Sequence, residues 1–140
     1  MGVTIAKSTM SNTPNAIDIF KGASKDVDIE IIKDSFDVDN NPVRTPFDLT
    51  GCTLIFTVRT TARSPVVVLY KISTDSAQIE ISTTPLDGLA IIYILSSDTE
   101  KLEPGMYTFD VWVLEPSGKR YPVVLPSAFK VIDAVTHFNV

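Results

Sequence analysis

From residue 26 onward, apolar and polar residues alternate in short segments of the chain. The clearest segment covers residues 52–59, in which Cys52, Leu54, Phe56 and Val58 are separated by single, mostly polar residues. Successive side chains of a β-strand point to opposite faces of a sheet, so this pattern is typical of a strand with one buried face. Further strands are predicted at residues 27–31, 66–72, 79–81, 89–95, 107–113 and 129–131.

Turn-forming residues separate these segments, and no long amphipathic helix interrupts them. Asp87-Gly88 and Pro116-Ser117-Gly118 supply the positive φ angles that tight turns require. The helix-like stretch at residues 97–102 is long enough for a single turn. About seven short strands with this spacing predict an all-β fold, an immunoglobulin-like antiparallel β-sandwich.

The residue types of two predicted strands indicate whether each strand lies in the middle or at the edge of its sheet. The continuous apolar run at residues 66–72 is rich in β-branched residues and predicts a strand covered on both faces. Pro122 and Pro126 cannot donate a hydrogen bond to a neighbouring strand. The last strand should therefore lie at an edge of its sheet or contain a bulge.

The segment that precedes the strand at residues 107–113 has the form of a tyrosine corner. Leu102, Pro104-Gly105 and Tyr107 fall together there. In such a corner the Tyr hydroxyl bonds back to the preceding crossover and fixes how the two sheets are joined. The alternative is a Tyr that only begins a strand.

The chain is predicted to consist of one domain with an extension at each end. Residues 1–22 mix Ser, Thr, Asn and Pro with scattered Ile and Val, which favours an extended N-terminal arm or an unstructured terminus. Residues 23–136 form the predicted sandwich, and residues 137–140 form a C-terminal tail.

Composition narrows the classes of function. The chain has 140 residues, of which 44% are hydrophobic and 21% charged, and its formal net charge is −5. A net acidic surface repels phosphate groups, so nucleic acid is not an expected partner. No apolar run reaches the length of a membrane span, so no membrane is expected either. Cys52 is the only cysteine, which excludes an intrachain disulfide and agrees with synthesis in a reducing cytoplasm.

Candidate catalytic and metal-binding residues are few. His137 is the only histidine and lies close to the C-terminus, and Cys52 falls on the inward set of its strand, where a buried, inert thiol is expected. Asp37, Asp39 and Asp48 faintly resemble a calcium loop, but Pro42 stands where such a loop requires Gly. A solvated hairpin loop is the favoured interpretation. No catalytic residue, metal ligand or cofactor is predicted.

The order of several short motifs resembles a family of virion modules. Residues 46–54 read Pro-Phe-Asp-Leu-Thr-Gly-Cys-Thr-Leu. This segment resembles the Asp-Leu-Thr-Gly-x-Thr signature of small Ig-like modules in tailed-bacteriophage virion proteins, such as the N-terminal module of the baseplate upper protein family. Residues 26–32, 96–99, 105–111 and 128–132 fall where that pattern places its other motifs. The resemblance covers residues 21–135.

The resemblance implies a non-enzymatic structural protein of the virion. Its expected partners are other virion proteins, either major capsid or tail and baseplate proteins, with the chain present as a homo-oligomer or in many copies. Head decoration and a tail or baseplate connector remain alternatives. It would be made in the host cytoplasm and would reside in the virion. A carbohydrate-binding module that adheres to host-surface glycans is the second class of function considered.

Two predicted strands carry more apolar residues than one buried face requires, and the additional residues indicate where partners would bind. If Tyr107 and the residues in step with it face inward, the opposite face carries Met106, Trp112 and Leu114. The strand at residues 89–95 is apolar on both sides, so Ile92 and Ile94 are also candidates for a covered second face.

An apolar outer face on these strands could be buried in two ways. The arm could fold back on its own sandwich through Ile17, Ile19 and Phe20, or a neighbouring subunit could bind there. Phe138 in the C-terminal tail could likewise pack on its own sandwich or on a neighbouring subunit.

Overall fold

The protein was analysed as a computed structural model that describes residues 5–8 and 16–135. The strands are β1 (Ile5–Ser8), β2 (Ile17–Phe20), β3 (Lys25–Phe36), β4 (Pro42–Pro46), β5 (Thr53–Arg59), β6 (Val67–Ile72), β7 (Ile79–Ile81), β8 (Leu89–Ile94), β9 (Gly105–Leu114) and β10 (Arg120–Ile132). A 3₁₀ turn covers Pro85–Asp87, and the one-turn helix α1 covers Ser96–Thr99. The single turn predicted between the strands at 89–95 and 107–113 is confirmed.

Two sheets pack face to face and form a sandwich. The first sheet has the order β1-β3-β8-β7, and β4 pairs with the C-terminal part of β3, residues 32–36. The second has the order β2-β10-β9-β5-β6. All pairs are antiparallel except β2 with β10, which are parallel. This is the immunoglobulin arrangement, in which β3, β8 and β7 form one sheet against β10, β9 and β5. The predicted fold class is confirmed.

The core lies between the sheets and is built from the inward residues of each strand. Phe56 and Phe109 have ring centroids 5.5 Å apart, and Phe129 lies 6.4 Å from both. Cys52, just before β5, and Tyr107 on β9 were also predicted to face inward, and they are half-buried against the core. The other residues that alternation predicted to face inward in β3, β5 and β9 are buried. They are Val27, Ile29, Ile31, Leu54, Phe56, Val58, Phe109, Val111 and Val113.

Strand β2 lies within the segment predicted as the N-terminal arm, residues 1–22, and belongs to the second sheet. Ile17 and Ile19 are buried because β2 pairs with β10 and places them opposite Phe129 and Val131. These two side chains therefore fill the core and do not cover the outer face that carries Trp112. Phe20, the third apolar residue of this segment, points outward. The predicted tail at residues 137–140 lies outside the described residues.

The predictions for β6 and β10 had different outcomes. The expectation that residues 66–72 are covered on both faces is wrong, since β6 is the last strand of its sheet and Val67 and Tyr70 are exposed. The predicted bulge in the last strand is confirmed. The pairing of β10 with β9 shifts register between Pro122 and Val124 and again between Val124 and Ser127.

The crossover between β8 and β9 joins the two sheets. The Tyr107 hydroxyl donates to the Glu103 carbonyl oxygen at 2.6 Å, which confirms the tyrosine corner. The buried Thr99 hydroxyl accepts from the Gly22 N–H and donates to the Ala23 carbonyl, both at 2.9 Å. The crossover is therefore also tied to the segment between β2 and β3.

A buried ion pair fixes the crossover against β6. The Lys71 ammonium lies 2.7 Å from an Asp98 carboxylate oxygen, and both side chains are largely shielded from solvent. The same carboxylate oxygen accepts a hydrogen bond from the Leu95 N–H at 2.8 Å, at the start of α1. Asp98 thus stabilises both the helical turn and the buried cation.

We expect Asp98→Ala to lower the free energy of unfolding by about 3 kcal/mol, because a buried ammonium group is left without its carboxylate. Lys71→Met keeps a linear apolar side chain and should cost less, since Asp98 retains its hydrogen bond to Leu95. Urea denaturation of the two variants measures the difference. Equal losses would contradict this account of the pair.

Candidate interaction surface

An apolar row crosses four strands on the outer face of the second sheet. Trp112 on β9 pairs with Ile55 on β5 and with Pro122 on β10, and Ile55 pairs with Ile72 on β6. Residues paired across strands share a face, so these four side chains are neighbours. Trp112 is 39% exposed, and the other three are half-buried. We refer to these four residues as the Trp112 row.

The polar atom of Trp112 is satisfied within the chain. Its Nε1–H donates to Asp110 Oδ2 at 3.1 Å. A partner that covers the ring therefore leaves no buried N–H group unpaired, which removes a common cost of burying an indole. The bond also restricts the ring orientation, so less side-chain entropy is lost on binding.

Mixed and polar rows border the Trp112 row on both sides. On one side, Leu114 pairs with Arg120, and on the other, Thr57 pairs with Asp110 and with the exposed Tyr70. An apolar centre with a polar border is the usual anatomy of a protein–protein interface. The predicted candidates Trp112 and Leu114 therefore belong to one surface.

Met106 shares this face but lies apart from the row. It is 63% exposed and pairs with Lys130 near the start of β9. Six residues along a strand separate it from Trp112, a distance of about 20 Å. The structure places Met106 outside the patch that the sequence had grouped with it.

Four predicted surface candidates lie in the interior. Ile92 and Ile94 are buried because β8 pairs with β3 so that Val27 lies opposite Ile92, which turns this set of residues inward. Their prediction as interface residues is wrong, as it is for the buried Ile17 and Ile19.

The remaining two candidates are Phe20 and Phe138. Phe20 is 54% exposed on the outer side of β2. Phe138 lies outside the described residues.

Sequence reasoning missed three members of the Trp112 row. Ile55 interrupts the polar set of β5, between Thr53 and Thr57, and this was the available signal. Ile72 and Pro122 gave no comparable signal, since their place on this face follows from strand pairing.

The acidic loop at residues 37–41 is a turn, as favoured from the sequence. It joins β3 to β4, and the Asp37 carboxylate accepts the N–H groups of Asp39 and Asn41, both at 2.9 Å. These hydrogen bonds, that of Asn41 foremost, lower the pKa of Asp37. Among the described residues, no group of three His, Cys, Asp or Glu side chains could hold a metal ion. Within the same residues, no helix has the length and apolar character needed to span a bilayer.

The signature at residues 46–54 forms the turn that leads into β5. Asp48 accepts the Thr50 N–H at 2.9 Å, Leu49 is buried in the core, and Gly51 has a φ of +73°. A Cβ at Gly51 would lie 2.9 Å from Cγ of Pro116. Each of these residues has a role in the fold.

Comparison with known proteins assigns the chain to no family. No protein-family model matches it, and no curated protein matches it by sequence. Among solved structures, murine CRIg aligns over 95% of this chain and 99% of its own, with 18% identity and a TM-score of 0.37. A family 123 glycoside hydrolase from Clostridium perfringens aligns over 97% of this chain, with 12% identity and a TM-score of 0.43; the chain spans 28% of that protein.

We expect Cys52 to react slowly with iodoacetamide. Partial burial, followed by the negative charges of Glu115 and Asp48, raises the pKa of its thiol, so less thiolate is present at neutral pH. The alkylation rate at neutral pH should be lower in the folded protein than in urea, and should rise more steeply toward alkaline pH. Equal rates in the two states would contradict the effect of burial.

Proposed function

We propose that this chain is a non-enzymatic binding module that joins a larger protein assembly through the Trp112 row. The observation that carries the proposal is a half-exposed Trp in the middle of an apolar row, with its N–H group already paired to Asp110. Interface hot spots are enriched in Trp, and they lie at centres surrounded by polar contacts.

The virion of a tailed bacteriophage is the setting that the sequence resemblance favours. In that setting the partners are neighbouring capsid, tail or baseplate proteins, and the chain is present in many copies. The support for this part of the proposal is the order and spacing of the sequence motifs, from residues 26–32 to residues 128–132.

Carbohydrate binding is the second candidate function. It is favoured by two exposed aromatic side chains on one face, Trp112 and Tyr70. A further aromatic side chain, Tyr121, packs against the core opposite Val113 and does not extend this pair. The aliphatic neighbours Ile55 and Ile72 suit a protein partner better than a sugar ring.

Trp112→Ala tests the proposal, with Met106→Ala as the matched control on the same strand and face. After co-expression with the structural genes of its phage, particles are isolated by sedimentation and the chain is quantified per particle. We expect Trp112→Ala to reduce incorporation about tenfold or more, and Met106→Ala to remain near the parent.

Stability and sugar binding are measured in parallel. Because Trp112 faces outward, its truncation should lower the free energy of unfolding by only about 1 kcal/mol. Unchanged incorporation of Trp112→Ala would exclude the row as the interface. Binding of the parent to a glycan array that is lost in Trp112→Ala would instead favour the carbohydrate function.

A further inference from the structure

Two side chains of opposite charge border the Trp112 row on opposite sides. Arg120 on β10 pairs with Leu114, two residues beyond Trp112 on β9. Asp110 lies two residues before Trp112 on the same strand, where it pairs with Thr57 on β5. Arg120 is exposed and Asp110 is half-buried. The row therefore has a cation at one border and an anion at the other.

These two charges do not neutralise each other within one chain. Arg120 lies at a position four residues along β9 from Asp110, a distance of about 13 Å that exceeds the combined reach of the two side chains. Asp110 accepts a hydrogen bond from the neutral indole N–H of Trp112, which leaves the carboxylate charge uncompensated. Arg59, a cation on the same side of the row, donates instead to the Ser64 carbonyl oxygen at 2.9 Å. Both border charges therefore suit a partner that presents the opposite charges.

A second copy of the chain presents such a pattern. In a two-fold symmetric contact, each surface meets the same surface of the other copy. If the two-fold axis runs along the Trp112 row, each residue of the row meets its own counterpart, and the two borders of the row exchange places. Trp112 then packs against Trp112 of the second copy, and an aromatic pair of this kind adds to the stabilisation that its buried area supplies.

The same rotation brings the opposite charges together. Because the two borders exchange places, Arg120 of each copy lies at the level of Asp110 of the other copy, one strand or about 5 Å to the side. One such pair forms at each border of the row. An axis along β9 would instead place the two Asp110 carboxylates opposite each other, which is unfavourable. Charge complementarity therefore selects the axis along the row.

We propose that the Trp112 row is a dimer interface of this chain, with Trp112 at its centre and Arg120 of each copy paired with Asp110 of the other copy. The inference rests on the proposed function of the row, since it names a second copy as the partner. Trp and Arg are among the residue types enriched in interface hot spots, and here they are diagonal neighbours on β9 and β10. The indole N–H stays bonded in the dimer, because a carboxylate has lone pairs for further hydrogen bonds.

The association of the full-length protein tests the proposal. Sedimentation equilibrium between about 10 µM and about 1 mM covers the range in which weak dimers dissociate. We expect the average mass to rise from that of one chain toward that of two chains. Trp112→Ala should weaken this association about tenfold or more, because it removes the central side chain.

Charge reversals test the symmetric geometry. Arg120→Asp places two carboxylates together at each border, and Asp110→Arg places two guanidinium groups there, so each variant alone should associate at least about tenfold more weakly than the parent. An equimolar mixture of the two variants has an attractive pair at both borders. We expect the mixture to form a mixed dimer whose affinity lies within about threefold of the parent's.

Two further variants serve as controls. Lys130→Asp reverses an exposed charge on β10, on the same face but beside Met106, and should associate as the parent does. Asp110→Asn keeps an acceptor for the indole N–H and removes only the charge, so it tests the pair even if Asp110→Arg does not fold. We expect it to weaken association about threefold.

The outcomes separate this inference from the proposed function. The dimer is excluded if the parent stays monomeric up to about 1 mM, if the mixture does not recover association, or if Lys130→Asp weakens it as much as Arg120→Asp. A monomeric parent, combined with the loss of Trp112→Ala from particles, would support the proposed function with a different partner. A dimeric parent, combined with normal incorporation of Trp112→Ala, would support the dimer and exclude the row as the contact with the particle.

Discussion

A buried ammonium group needs a carboxylate, and the pair formed by Lys71 and Asp98 constrains much of this sandwich. Lys71 extends inward from the edge strand of the second sheet, whereas Asp98 belongs to the crossover that arrives from the first. The pair and the Tyr107 hydrogen bond to Glu103 together hold the segment that enters β9. A slip of one residue in β9 would exchange its two faces and turn Trp112 into the core. The position of Trp112 therefore depends on contacts at the far end of its strand.

The same buried Lys71 makes the edge strand β6 a poor place for the addition of another strand. An inward charge on an edge strand discourages the addition of another strand, because the charge would have to remain paired in a new environment. At the edge of the first sheet, β7 has only three residues, too few for extended pairing. The addition of a strand from another chain is therefore disfavoured at β6 and at β7. The two outer faces differ in chemistry, since one is centred on Trp112 and the other has an apolar strand between Asp28 and Glu80.

The alternation of apolar and polar residues predicted the inward face of each strand whose two faces differ clearly in hydrophobicity. It placed Trp112 outside because β9 has one strongly apolar set and one mixed set. Alternation did not identify the inward face of β8, because both faces of this strand are apolar. Pairing with β3, which places Val27 opposite Ile92, selects the residues that point inward there. Strand β2 was missed because it has only four residues and its partner β10 lies more than a hundred residues later. Such parallel, non-local pairing leaves no periodic signal in a short segment.

The sequence motif at residues 46–54, which resembles virion modules, contributes to the fold and not to the Trp112 row. Asp48, Leu49 and Gly51 form a turn, fill the core and allow a left-handed backbone before β5. Trp112 lies outside that motif. Proteins that share the turn would share the way the sandwich is built, while the outward residues of β7, β8 and β9 remain free to differ. The residues that build this turn and the exposed residues proposed to bind a partner are thus separate parts of the sequence.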